Sequence, residues 1–141
     1  MSYRVLDYVR RPPVTVKPET PIRDAARVMF EGSVGSVVVV DDSGRPVGIF
    51  TERDLVRVVA QGAPLEAPVG SVMTRDPVTV KASDSIVKAA MIMSERRIRH
   101  LPVVDDNGVL VGVISIRDVV DALKSALASR AAESEMAVFT G

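Results

Sequence analysis

Gly48-Ile49-Phe50-Thr51-Glu52-Arg53-Asp54 decides the fold, because the chain repeats it as Gly112-Val113-Ile114-Ser115-Ile116-Arg117-Asp118. In both copies a valine-rich apolar run (Val47 to Phe50, Val111 to Ile114) leads into a hydroxyl residue, an arginine and an aspartate. Helical spacing takes over at once, with Leu55, Val58 and Val59 in one copy and Val119, Val120 and Leu123 in the other. The pattern predicts a buried strand turning directly into a helix, with Thr51 or Ser115 at the N-cap. Thr51-x-x-Asp54 and Ser115-x-x-Asp118 both fit a capping box, which satisfies orphan N–H groups at a helix start. The same geometry supports a second use. A helix N-terminus at the carboxyl end of a strand attracts anions, and a carboxylate one turn in can hold a sugar diol. Spacing alone leaves both readings open.

Working outward, residues 5–56 align on 69–120 without a gap, with about 22 identities over roughly 52 positions, so the chain is a tandem repeat. The identity runs through Pro13 to Lys17 and Pro77 to Lys81, and through Ile22, Ala25, Ala26, Met29 and their counterparts Ile86, Ala89, Ala90, Met93. It ends with Val39-Val40-Asp41-Asp42 and Val103-Val104-Asp105-Asp106 leading into the opening stretch. Each copy reads as strand, helix, strand, hairpin, strand, helix. Val14 to Val16 and Val78 to Val80 are the first strands. The helix stripe at i, i+3, i+4, i+7 is narrow and alanine-rich, so it lies close on a sheet. Thr20 is placed at the first helix N-cap with Pro21 at the first helical position, and Asp84 takes the cap role in the second copy. The paired acids 41–42 and 105–106 sit in Asp/Ser/Asn-Gly turn chemistry, which favours a turn over a metal or acid/base site.

One repeat of about 55 residues buries too little surface to stand alone comfortably. The fold class expected is therefore α/β (α+β): two tandem β-α-β-β-α repeats packed about a pseudo-twofold axis. The repeats span 1–62 and 63–127. Gln61 to Pro68 reads as a linker, and the tail 128–141 loses periodicity, being frayed or used in a contact. Short lead-ins, Val5 to Arg10 and Val69 to Thr74, open each copy and are candidates to pack on the partner repeat.

The 141 residues carry 18 basic and 18 acidic side chains, so no bulk field recruits nucleic acid or an anionic membrane. There is no cysteine and a single histidine, His100, which removes thiolate chemistry and multi-histidine metal sites. No apolar run approaches the length of a membrane span, and Arg10-Arg11 precedes Pro-Pro and not an apolar segment. A cytoplasmic protein is expected.

The lead-in Val72-Met73-Thr74-Arg75-Asp76-Pro77-Val78-Thr79-Val80, the segment His100-Leu101-Pro102-Val103-Val104-Asp105 and the repeated motif resemble the CBS domain, named after cystathionine β-synthase. The resemblance covers residues 5 to about 125. It implies a pair that binds adenosine ligands such as AMP, ADP, ATP or S-adenosylmethionine in clefts between the repeats, that forms a homodimer, and that regulates a partner. By this resemblance Asp54 and Asp118 hold ribose hydroxyls, with Thr51, Arg53, Ser115 and Arg117 beside them and Ile49 or Val113 lining an adenine slot. The Asp118 cleft would also take Thr20, Ala25, Val34 and Gly35, and the Asp54 cleft Asp84, Ala89, Ile98 and Arg99.

His100, next to Arg99, is either a satisfied strand-edge histidine or a phosphate contact. Arg96, Arg97 and Arg99 replace Gly32, Ser33 and Gly35 of the first copy, so the second copy looks specialised. With Thr20 at one rim and Asp84 at the other, the Asp118 cleft is expected to be the better phosphate site.

The function expected is a non-catalytic regulatory module with an adenine nucleotide, AMP foremost, as ligand and no cofactor or metal. The partners expected are that nucleotide, a second copy and an unidentified regulated protein, with no nucleic acid or membrane. The rivals are an enzyme acting on the nucleotide, a scaffold or dimerisation module without ligand, and an S-adenosylmethionine or NAD sensor.

Overall fold

Each apolar run becomes a strand in one of two small sheets, and each alanine-striped segment a helix laid on a sheet. The computed structural model describes residues 3–9 and 12–140, the side chains of 132–140 excepted. Four strands, β1 (Thr15–Val16), β2 (Ser36–Val40), β3 (Pro46–Thr51) and β4 (Thr74–Arg75), form the first sheet in that order. The second holds β5 (Val80–Lys81), β6 (His100–Val104) and β7 (Leu110–Ser115). In each sheet the first pairing is parallel and the next antiparallel, so both are mixed. The helices are α1 (Ile22–Gly32), α2 (Glu52–Ala60), α3 (Ile86–Arg96) and α4 (Ile116–Thr140). The expected class holds: two β-α-β-β-α units related by a pseudo-twofold axis. β2 is buried at all five positions because its β-branched run is covered on both faces.

The turns after β2 and β6 confirm their chemistry. Asp41 Oδ1 accepts the N–H groups of Ser43 and Arg45, and Asp105 Oδ1 those of Asn107 and Val109. Gly44 and Gly108 follow at φ 82° and 80°, where a side chain would be strained. The Ser43 hydroxyl and the Arg45 N–H hold the Asp41 carboxyl below its usual range. These acids are turn formers.

Two cores form, and each needs a residue from the other repeat. Val5, in the first lead-in, is buried among Val80, Ile86, Leu101 and Ile114; Val69, in the second, is buried among Val16, Ile22, Val39 and Phe50. Backbone bonds fix the exchange. Val5 N–H donates to Asp84 O and Val69 N–H to Thr20 O, at 2.8 and 2.7 Å. The motif glycines make it possible. A Cβ on Gly48 would overlap Met73 Sδ, and one on Gly112 would overlap Val9 Cγ1. Met73 and Val9 are equivalent residues of the two lead-ins. Arg10, the last lead-in residue of the first copy, lies outside the described residues, as does Arg11.

Several local expectations need correction. Thr20 is not the N-cap of α1: Pro21 is, and the Thr20 hydroxyl instead accepts the Lys17 N–H at 3.2 Å. The first N–H groups of α1 are taken by carbonyls of the inter-repeat segment, Ile22 by Ala67 and Arg23 by Leu65, so no side-chain cap is needed. That segment is therefore docked on the first repeat, where Ala63, Leu65 and Ala67 pack against the core. In the second copy Ser85 caps α3 through the Val87 N–H, while Asp84 accepts the Lys81 N–H and pairs with Lys88. Met29 and Met93 are core residues, as the alanine-rich helix stripe requires. The tail expected to lose structure continues α4 to Thr140; Gly141 lies outside the described residues. Among the described residues no helix is long and apolar enough to cross a membrane.

Candidate functional site

Two clefts open where β3 enters α2 and where β7 enters α4. In the first, Thr51 and Asp54 form a full capping box. The Asp54 N–H donates to Thr51 Oγ1 at 3.2 Å, and the Thr51 N–H to Asp54 Oδ2 at 2.9 Å. Ser115 and Asp118 repeat it, with N–H bonds of 3.3 Å to Ser115 Oγ and 2.8 Å to Asp118 Oδ2. In both, Oδ2 carries the cap and Oδ1 takes no part in it. Near Asp54 Oδ1 stands Arg57 Nη2 at 3.5 Å. The capping reading is thus correct, and it leaves one carboxylate oxygen of each motif outside the cap.

The Asp54 cleft has a volume of about 510 Å³ and brings together Ile49, Thr51, Arg53 and Asp54 with Ile98, Arg99 and His100 of the second repeat. The Asp118 cleft, about 730 Å³, joins Val113, Ser115, Arg117 and Asp118 to Val34 and Gly35 of the first repeat. Both volumes suit a small organic ligand. Each cleft joins an apolar wall to a helix N-terminus with a carboxylate, the requirements of a ligand with a flat base, a diol and an anion.

Thr20 and Ala25 are not among the residues lining the Asp118 cleft, and Asp84 and Ala89 are not among those lining the other. Ala25 and Ala89 are wholly buried under their sheets, where a small residue lets the helix lie close. Thr20 and Asp84 are turned back onto Lys17 and Lys81. Their contrast therefore does not distinguish the two rims.

Four residues line both clefts: Gly35, Glu52, Arg99 and His100. They form a midline wall shared by the repeats. A Cβ on Gly35 would lie 3.3 Å from His100 Nε2 and 3.6 Å from the Glu52 carboxyl carbon, so the imidazole fills the space that this glycine leaves open. Burial pushes the His100 pKa down, while the Glu52 carboxylate draws it up, Arg99 pushes it down and Asp118 draws it up. Glu52 was missed in sequence, although a signal existed: it breaks the repeat, which has Ile116 in its place. Arg97, Asp76 and Val78 also line the Asp54 cleft, and Pro13, Ile116 and Asp121 the other.

Known proteins carry the same architecture. A CBS domain protein from Pyrobaculum aerophilum, solved in complex with AMP, is 38% identical, with a TM-score of 0.79 over 82% of this chain and 88% of that one. The CBS domain pair of protein MJ0100, solved with 5′-methylthioadenosine and S-adenosyl-L-methionine, is 27% identical, with a TM-score of 0.82 over 89% and 99%. A 17.7 kDa protein of Acidianus ambivalens is 43% identical over 108 residues, which are 77% of this chain and 65% of that protein. The chain thus spans just under two thirds of that relative, and 61% of another from Methanopyrus kandleri. With the CBS domain matched twice, over residues 5–61 and 69–125, the chain belongs to the CBS domain family as a tandem pair.

Proposed function

We propose that this CBS pair is a regulatory sensor of an adenine nucleotide, AMP foremost, with ADP and ATP as further ligands. The observation that carries the reading is that each cleft joins a motif aspartate and helix N-terminus from one repeat to residues of the other. A ligand seated there touches both repeats, so it favours the arrangement of the pair that fits it best, which is how binding becomes a signal. The AMP complex of the Pyrobaculum relative supports this choice of ligand. S-adenosylmethionine is the second reading, supported by the MJ0100 complex and by the apolar lining Ile49, Val78 and Ile98. The reading is non-catalytic: Oδ2 of each motif acid serves a helix cap, and Oδ1 is left to accept from the ligand's hydroxyls. It extends to a cytoplasmic homodimer acting on a regulated protein. Exposed Val56 and Val59 on α2, with Val120 and Leu127 on α4, support the dimer.

Thermal melting with AMP, ADP, ATP, NAD and S-adenosylmethionine tests the ligand. A ligand at 100 times its Kd adds about 2.7 kcal/mol, and no response to any of them favours a scaffold. Asp54→Ala and Asp118→Ala should each weaken one cleft by about 1.5–3 kcal/mol, the usual loss for a charged acceptor. Sedimentation giving only a 15.1 kDa species at micromolar concentration would refute the dimer.

A further inference from the structure

We infer that the two clefts share one anion-binding wall, Arg99 with His100, and therefore oppose each other for phosphorylated ligands. The inference rests on the nucleotide reading above and concerns the regulation of the same site. Arg99 and His100 belong to the second repeat, yet both line the Asp54 cleft and the Asp118 cleft. Their counterparts in the first repeat are Gly35 and Ser36, which carry no charge. Among the described residues, those lining both clefts hold one permanent cation, Arg99, one titratable imidazole and one carboxylate, Glu52, while Arg53 and Arg97 line the Asp54 cleft alone and Arg117 the other.

A phosphate entering either cleft meets the same arginine. His100 is part-buried between Glu52, Arg99 and Asp118, so it answers charge changes on both sides. Once a first phosphate has drawn Arg99 toward itself, the second cleft faces Glu52 with only its own cations, Arg53 and Arg97 or Arg117, to offset it. Like charges brought together across one shared wall then raise the cost of the second binding step. An uncharged nucleoside does not meet this opposition.

Calorimetry on the full chain with AMP and with adenosine tests the idea. Asp54→Ala and Asp118→Ala each weaken one cleft, and titrating the other while the weakened one is unfilled gives the affinity of each cleft with its neighbour empty. In the wild type the second AMP should bind about 5- to 150-fold more weakly than the same cleft binds it alone, the usual range of site-to-site coupling. For adenosine the two values should agree. Arg99→Gln placed in each of these backgrounds should weaken AMP in both and leave adenosine nearly unchanged. Equal AMP affinities for the second cleft, alone or beside an occupied neighbour, overturn the inference. So does an Arg99→Gln effect confined to the Asp54 cleft. In either case AMP still binds and the nucleotide reading stands. Absence of AMP binding to the wild type overturns that reading and this inference with it.

Discussion

The Asp54 cleft and the Asp118 cleft share the same capped strand-to-helix turn and diverge in the residues that face it across the midline. Their capping bonds agree within about 0.1 Å, although one hydroxyl is threonine and the other serine. At the midline Gly35 corresponds to Arg99 and Glu52 to Ile116, and Gly35 lies against His100 and Glu52. The structural part of a repeat is thus kept twice, while each polar feature of the wall occurs once. A duplicated fold supplies two pockets from one design, and the seam between them is where they acquire different chemistry.

The largest test of the shared architecture is Phe50→Ala, which removes a fully buried ring from the first core. It should cost about 3–5 kcal/mol. Because each core contains a residue of the other repeat, the thermal melt should remain one transition. A second repeat that stays folded while the first melts would break the comparison.

Next, Gly112→Ala should cost about 1–3 kcal/mol, because its methyl meets the stiff branched side chain of Val9. Gly48→Ala should also be destabilising, since its methyl meets Met73 and the Thr74 carbonyl oxygen of the paired strand β4. Val9→Ala should rescue much of the Gly112→Ala loss in denaturant unfolding. The absence of any rescue would show that the lead-ins are not what the glycines accommodate.

Thr51→Ala and Ser115→Ala should each lower stability by about 0.5–2 kcal/mol, and by similar amounts, since the two caps share one geometry. A large inequality would mean that one hydroxyl has a role besides its cap.

The smallest effect concerns pH. Burial lowers the His100 pKa from the usual 6.5, so the folded chain takes up the proton less readily than the unfolded chain does. Well above 6.5 both folded and unfolded states are neutral there, and the shift has no effect on stability. As pH falls below 6.5 the unfolded chain takes up the proton more readily, and stability declines. His100→Gln should flatten the stability curve between about pH 7 and 5.5, read by urea unfolding in the absence of ligand. A curve as steep as that of the wild type would assign the slope to other groups.

Strand, turn and cap were legible because they rest on neighbours within a few residues. Thr51-x-x-Asp54 announces its cap, and Asp41-x-x-Gly44 its turn. The errors came where a distant segment met a local need. Thr20 before Pro21 is a good cap by type, but carbonyls from Leu65 and Ala67 had already taken the helix donors. A proline φ of −60° serves an N-cap as well as a first helical position, so Pro21 could not separate the two. Strand β4, only two residues long and exposed, carries no apolar alternation and gains its place by pairing with Gly48 and Ile49. Of the site, the motif residues and Val34, Gly35, Ile98 and Arg99 were legible through the repeat and the family resemblance. Glu52 was not, because a first-turn acid usually serves the helix dipole, and only the fold shows it facing both clefts.

The exchange of Val5 and Val69 between cores also bears on the order of events during synthesis. Val5 bonds to the carbonyl of Asp84, so its site does not exist until most of the second repeat has been made. At about 5–20 residues per second, the lead-in waits several seconds with its apolar face uncovered. The first repeat, in turn, gains Val69 soon after its own helices emerge. The first core therefore closes early and the second closes last, on a segment made before the rest of either repeat. That final docking is the step at which a nascent chain could accept the lead-in of a neighbouring copy in place of its own.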